Sequence, residues 1–234
     1  MRKKRILLKL TGEIFLDRNH HRLTPMVAHR IIEQIKKLQT SHLFGIVVGG
    51  GNFFRGNQHG KMMGVRPAIS HQIGMLGTMM NGLMLKDLCE QQDIVAELFC
   101  AMPSPEVGKP VAQQTITSGL ANQSVLIFTG GTGNPFFTTD TTAILRALQM
   151  EADEVWKGTM VDGIYTADPV KVPTAKRLDM VTYDHAIKEK LGIMDITAYA
   201  MAERYQVPVR VFDIFAPNAL LEVAQNPKFG STIS

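Results

Sequence analysis

Val125–Asp140 reads VLIFTGGTGNPFFTTD, and the fold class follows from this stretch. The apolar run VLIF is short and unbroken, as in a strand buried on both faces of a sheet. The glycines end it in a tight turn, and Thr-Thr-Asp leads into apolar residues at helical spacing over Thr141–Met150. Strand, glycine turn and helix in that order form the unit of a parallel α/β sheet.

The same beginning occurs twice more. RILLKLTG (Arg5–Gly12) and GIVVGGGNFFRG (Gly45–Gly56) each run from a strand into glycines. Six strands are expected, over Arg5–Leu10, Phe44–Val48, Ile94–Phe99, Val125–Thr129, Glu154–Lys157 and Val209–Phe212. Helical spacing marks Met26–Leu38, with Thr24 as cap and Pro25 in the first turn, and the long segment Ile69–Leu88. It also marks Thr141–Met150, Tyr183–Leu191, Ile196–Tyr205 and Leu220–Ala224. The alternation predicts an α/β fold with a largely parallel sheet covered on both faces. No flexible linker or internal repeat divides the chain, so residues 1–234 are expected to form one domain. Lys157–Lys176 mixes Gly, Pro and Thr and reads as a long functional loop or hairpin. Met75, Met79, Met80 and Met84, at helical spacing, read as core or subunit-interface filler.

Composition sets the remaining bounds. The 234 residues are 45% hydrophobic and 20% charged, an ordinary globular balance. A net charge of +4 suits small anionic ligands but is too weak and dispersed to indicate nucleic-acid binding. Cys89 and Cys100 have no metal-like spacing and read as reduced core thiols of a cytoplasmic protein. The opening RKKRILLKL is too short an apolar run for a signal peptide, and no stretch approaches the ~20 apolar residues of a membrane span.

In a parallel sheet the three glycine turns share one edge, where ligands gather beyond the carboxyl ends of the strands. Glycines there let backbone N–H groups approach phosphate oxygens. Neither a GxxxxGK[ST] loop nor a GxGxxG fingerprint is present. The adjacent His20-His21 pair reads as exposed and unliganded, and no protein metal ligand is assigned. What remains is a phosphoryl-transfer site built from Lys9, Arg55, Thr138, Thr139, Asp140 and the loop ending at Tyr165–Pro169. Such transfer needs positioning and charge neutralisation. A nucleoside phosphate acceptor, with its second pKa of about 6, needs no general base.

RILLKLTGE, VVGGGNFFRG, HQIGMLGTMMNGL, GTGNPFFTTD, VDGIYTADP and IMDITAYAMA together span nearly the whole chain. In these motifs the sequence resembles the bacterial uridylate kinases of the amino-acid-kinase family. The pairing of GGGNFFRG with GNPFFTTD is highly specific within that family. The resemblance implies a three-layer αβα sandwich, with an acceptor-binding N-terminal half closely joined to an ATP-binding C-terminal half. It implies transfer of the terminal phosphoryl group of ATP, as its Mg²⁺ complex, to UMP in pyrimidine nucleotide biosynthesis. It also implies a cytoplasmic homohexamer with no nucleic-acid or membrane partner.

Carried over by motif, Lys9, Arg55, Asp140 and Asp195 would be catalytic. Lys9, Leu10, Thr11, Gly12, Gly51, Arg55, Thr159, Tyr165 and Asp168 would hold ATP. Gly50, Ser70, Thr132, Gly133, Asn134, Pro135, Phe136, Phe137, Thr138 and Thr139 would hold UMP. As lesser alternatives, Asp195 reads as only the cap of the helix that follows it, and Asp168 as only a turn residue. At least one of Phe136 and Phe137 reads as core.

Three departures from the family pattern stand out. Ile69-Ser70-His71 replaces Gly-Asp-His, putting Ser70 where the family has an aspartate on the UMP ribose, although a serine there also reads as a helix cap. Met160 replaces a lysine before VDG, and Ile14–His20 replaces a glycine-containing effector segment. Two other readings stay open. One is a nucleotide-binding protein without activity, and the other is a kinase with a different acceptor, such as a carboxylate, a carbamate or isopentenyl phosphate.

Overall fold

Strand β1 (Lys4–Leu10) carries KRILLKL, in which Ile6, Leu7, Leu8 and Leu10 are fully buried. Burial of consecutive residues requires cover on both faces of a sheet. This is a computed structural model, and it describes residues 2–17 and 22–234. A small hairpin of β2 (Leu16–Asp17) and β3 (Arg22–Leu23) leads to α1 (Met26–Leu38). Then come β4 (His42–Val48), α2 (Pro67–Glu90), β5 (Ala96–Cys100), β6 (Lys109–Pro110) and α3 (Gln113–Ala121). Next are β7 (Val125–Thr129), α4 (Thr139–Gln149) and β8 (Glu154–Thr159). A second hairpin, β9 (Ile164–Tyr165) with β10 (Arg177–Leu178), precedes β11 (Met180–Val181). The chain closes with α5 (Tyr183–Lys188), α6 (Ile196–Arg204), β12 (Val209–Asp213), α7 (Ala219–Gln225) and β13 (Ser231–Ile233).

Nine strands form one sheet in the order β11-β13-β12-β8-β1-β4-β7-β5-β6. Every ladder is parallel except β12 with β13. On one face α1, α2 and α7 pack over Ile6, Leu8, Leu10, Ile46 and Ile127. On the other, α3, α4, α5 and α6 cover Leu7, Val47, Leu126, Phe128 and Val155. Strand alternation therefore places Lys9 with Leu7 on the α4 side. The central strands β1, β4, β7 and β8 run parallel, so their carboxyl ends, and the turns after them, share one edge.

Several elements differ from the sequence expectation for local reasons. Helix α3 was not expected because Ile116 and Gly119 are its only buried residues, too few to print a period. The edge strands β6, β11 and β13 are only two or three residues long. Helix α2 starts at Pro67, where a proline suits the first turn, so Ser70 lies inside the helix and is not its cap. Thr138 caps α4 by accepting from the backbone N–H of Asp140 and Thr141, and the helix begins two residues earlier than expected. Lys157–Lys176 resolves into the end of β8 and the β9–β10 hairpin.

Met79 joins the core, Met75 is buried beside the cleft described below, and Met80 faces outward. Both cysteines are buried and unpaired. Of the segment Ile14–His20, Ile14 and Phe15 are core residues and Leu16–Asp17 form β2, while residues 18–20 lie outside the described residues. The His20-His21 pair also lies outside them. Among the described residues, no helix is long and apolar enough to cross a membrane.

Candidate active site

The three glycine turns meet at the carboxyl edge of the sheet. The carbonyl of Leu10 accepts from the N–H of Gly49 at 2.9 Å, joining the first turn to the second. Their backbones touch at Gly12, where an added Cβ would lie 2.2 Å from Asn52 Oδ1 and 2.7 Å from the Gly49 carbonyl. Asn52 and the fully buried Asn81 of α2 exchange amide hydrogen bonds of 3.0 and 2.7 Å, and Asn81 also donates to the Gly49 carbonyl at 2.6 Å. Thr78 of α2 accepts from the N–H of Gly130 at 2.9 Å, tying the third turn to the same helix. The side chain of Arg146 donates to the Gly131 carbonyl at 3.0 Å from the α4 side, and burial lowers its pKa to about 10.

Gly12→Ala is therefore expected to pry the first two turns apart. Overpacking of this kind costs about 1–3 kcal/mol, which lowers Tm by about 2–4 °C per kcal/mol in a chain of this size. Thermal unfolding checks it, and a variant that melts with the parent would show that the turns can separate freely.

Between the turns lies a cleft of about 420 Å³. Lys9, Thr11, Gly12, Gly50, Gly51, Ser70, Phe137, Thr138 and Thr139 of the expected set line it. Phe54, Lys61, His71, Met75 and Thr78, which sequence reasoning did not assign, line it too. Ser70 is buried, with Oγ 3.5 Å from the Val65 carbonyl, and Gly60 approaches it so closely that an added Cβ there would lie 2.2 Å from Oγ.

Phe136 and Phe137 correct the expectation that one would be core: they are 66% and 45% exposed. Phe136 has φ +74°, a conformation costly for a side chain of this size, and its ring lies 5.2 Å from that of His71. The loop before it takes positive φ at Gly130, Gly131 and Gly133, so glycine is the fitting residue at each. Thr132 and Asn134 close this loop through a bond from the Asn134 N–H to the Thr132 hydroxyl. Thr132, Gly133, Asn134, Pro135 and Phe136 stand outside the cleft lining.

Charge concentrates at the wall formed by β1, β8 and α4. Lys9 and Lys157 are register partners on adjacent parallel strands, so their side chains leave the sheet on the same face. Asp140, in the first turn of α4, sits between them, with Oδ1 2.9 Å from Lys9 Nζ and Oδ2 2.7 Å from Lys157 Nζ. Burial would raise the Asp140 pKa, but the two ammonium groups overcome it and hold the carboxyl at about 2. The helix N-terminus favours the same ionised state. Burial, reinforced by the like charge of Lys9, lowers the pKa of Lys157 to about 8 against the opposing pull of Asp140. Lys157 also donates to the Ile193 carbonyl. The sequence does carry a signal for Lys157, a lysine inside the otherwise apolar strand EVWKGT, where an unpaired cation would be costly.

Asp195 caps α6 by accepting from the N–H of Ala198 at 2.9 Å. It also accepts from the hydroxyls of Thr138 and Thr141, so it braces the start of α4. Arg55 is not part of the cleft lining; its guanidinium pairs with Glu13 and its Nε donates to the carbonyl of the lining residue Gly51 at 3.3 Å. Leu10 has a fully buried side chain and does not line the cleft. Thr159 lies at the same sheet edge at the end of β8, its hydroxyl donating to the Val161 carbonyl at 2.8 Å. Tyr165, bonded to Asp162, and Asp168, accepting from the Val170 N–H, belong to the hairpin region beyond β8 and not to the cleft lining. Among the described residues no three His, Cys, Asp or Glu side chains converge as a metal cage.

Comparison with known proteins places this geometry among relatives. Residues 4–213 match the model of the amino acid kinase family. A uridylate kinase of Legionella pneumophila (strain Paris) is 40% identical over 234 residues, covering 100% of this chain and 94% of that one. A uridylate kinase of Escherichia coli (strain K12) is 39% identical over 232 residues, covering 99% and 96%. The crystal structure of a UMP kinase from Ureaplasma parvum superposes with a TM-score of 0.93 at 30% identity, covering 100% of both chains.

Proposed function

This chain belongs to the amino acid kinase family, and from that premise we propose that it transfers the γ-phosphoryl group of ATP to UMP, giving UDP and ADP. The observation that carries this reading is the Lys9–Asp140–Lys157 group set in the wall of a cleft bounded by three glycine turns. The glycine turns present backbone N–H groups to phosphate oxygens, and Lys9 neutralises charge on the group in flight. Asp140 accepts no substrate proton in this scheme. Its low pKa keeps it ionised, and the acceptor phosphate is itself the nucleophile. Its part is to aim Lys9.

Thr138 and Thr139, at the start of α4, offer a helix N-terminus to the acceptor phosphate, and exposed Phe137 offers a ring face to the base. Thr159, at the end of β8 one strand over from β1, and Tyr165 and Asp168 in the hairpin beyond it serve the ATP nucleoside. Mg²⁺ enters as part of the nucleotide substrate: both Asp140 oxygens already face ammonium groups, which suits an ion carried by phosphates and water. The enzyme works in pyrimidine nucleotide biosynthesis in the cytoplasm as a homohexamer. Leu76, Met80 and Leu83, exposed along α2, supply apolar surface for such assembly.

The acceptor is tested with a coupled assay of ADP release over a panel of UMP, CMP, AMP and GMP. UMP is expected to have by far the largest kcat/KM. A comparable value for any of the others would remove the assignment of acceptor while leaving the kinase reading in place.

A further inference from the structure

Among the three groups in direct contact, Lys9, Asp140 and Lys157, two ammonium groups and one carboxylate leave one net positive charge, with the Asp195 carboxylate further away. Without Lys157, Asp140 would cancel Lys9, and the pair would present no net charge to a phosphoryl group. We propose that Lys157 is a positioning residue that keeps the Lys9–Asp140 pair positively charged: it occupies the second carboxylate oxygen from within the sheet, leaving the charge of Lys9 available to the cleft. Lys157 does not itself line the cleft and is 5% exposed, so it acts through Asp140. Its position is fixed by β8, whose register sets it beside Lys9, and by its bond to the Ile193 carbonyl.

The surroundings make this charge conditional on pH. Lys157 faces Lys9 on β1, Asp140 on α4 and, further away, Asp195 at the head of α6. Buried Tyr199 of α6 feels the charge of Asp140, and burial pushes its pKa up to about 12. Asp140, at about 2, and Tyr199 therefore keep their protonation states across the roughly neutral to mildly alkaline range. Lys157, lowered to about 8, loses its proton there as pH rises, and the net charge of the group falls with it. Bound phosphates favour the protonated form, so the loss belongs to the free enzyme and is read in kcat/KM more than in kcat.

The inference rests on the phosphoryl-transfer reading and is tested on the full chain. Lys157→Met, which fills the same buried space without charge, is expected to lower kcat and kcat/KM together by on the order of a hundredfold. In the wild-type enzyme kcat/KM should decline as pH rises through about 8, and Lys157→Met should lack this decline. A purely structural role would leave the profile's shape unchanged. The proposal is overturned if the folded variant keeps more than about a tenth of wild-type kcat, a small loss beside that of one transition-state contact. It is overturned equally if wild type shows no alkaline decline in kcat/KM, a measurement that does not need the variant to fold. Wild type inactive with UMP would instead count against the proposed acceptor, and both measurements would then be made with whichever acceptor the panel selects.

Discussion

Lys9→Ala is expected to lower kcat by roughly a hundred- to a thousandfold while the protein stays folded. Lys9 is the one member of the charged group that also lines the cleft. Losing one transition-state charge contact typically costs about 2.7–4 kcal/mol. The fold should survive because Asp140 keeps its 2.7 Å contact with Lys157, so no buried charge is left alone. Circular dichroism and a thermal melt establish the fold, and steady-state turnover gives the effect. A folded variant retaining more than about a tenth of wild-type turnover would deny Lys9 this role, since even a single oxyanion-hole donor is worth more.

Asp140→Ala should act on both activity and stability, unlike the lysine substitution. It removes the carboxylate that sits between two ammonium groups sharing a face of adjacent strands. Breaking a buried pair by deleting one partner costs about 3–5 kcal/mol. Part of this is relieved when Lys157 sheds its proton, already held less firmly than that of a free lysine. A loss of about 2–4 °C in Tm per kcal/mol then gives a drop on the order of 10 °C.

The pH dependence has a defined sign. The folded-state pKa of Asp140 is depressed, so its stabilisation is present above the ordinary aspartate range and is lost as pH falls toward about 2. The difference in Tm between parent and Asp140→Ala should accordingly shrink on acidification. An equal difference at pH 7 and at pH 3, near the ordinary carboxyl range, would show that the carboxylate charge is not what stabilises the site.

The central strands were legible because burial on both faces writes an unbroken apolar run. Val125–Thr129 and the helix Met26–Leu38 have the expected boundaries. Helix α3 and the short edge strands were not legible, since two buried residues in nine, or a strand of two residues, leave no period to read. In the site, Lys9 and Asp140 could be picked out because both flank glycine turns, and the fold brings them within 2.9 Å. Lys157 was missed because its partner lies on another element, and only the β1–β8 register makes the two lysines neighbours. Asn81 was missed for a similar reason: an asparagine in a long apolar helix signals a buried polar contact, but its reciprocal bond to Asn52 depends on how α2 lies over the second turn. Asp195 and Thr138 show the opposite limit. Thr138 was read only as a chemical group and Asp195 as that or a cap, and both hold α4 and α6 together as caps.

Phosphoryl transfer to UMP is tested most directly by product analysis of a reaction containing the purified protein, ATP, Mg²⁺ and UMP. UDP and ADP are expected in equal amounts, with neither formed when UMP is left out. ADP released without UDP, or UMP returned unchanged by folded protein, would contradict such transfer.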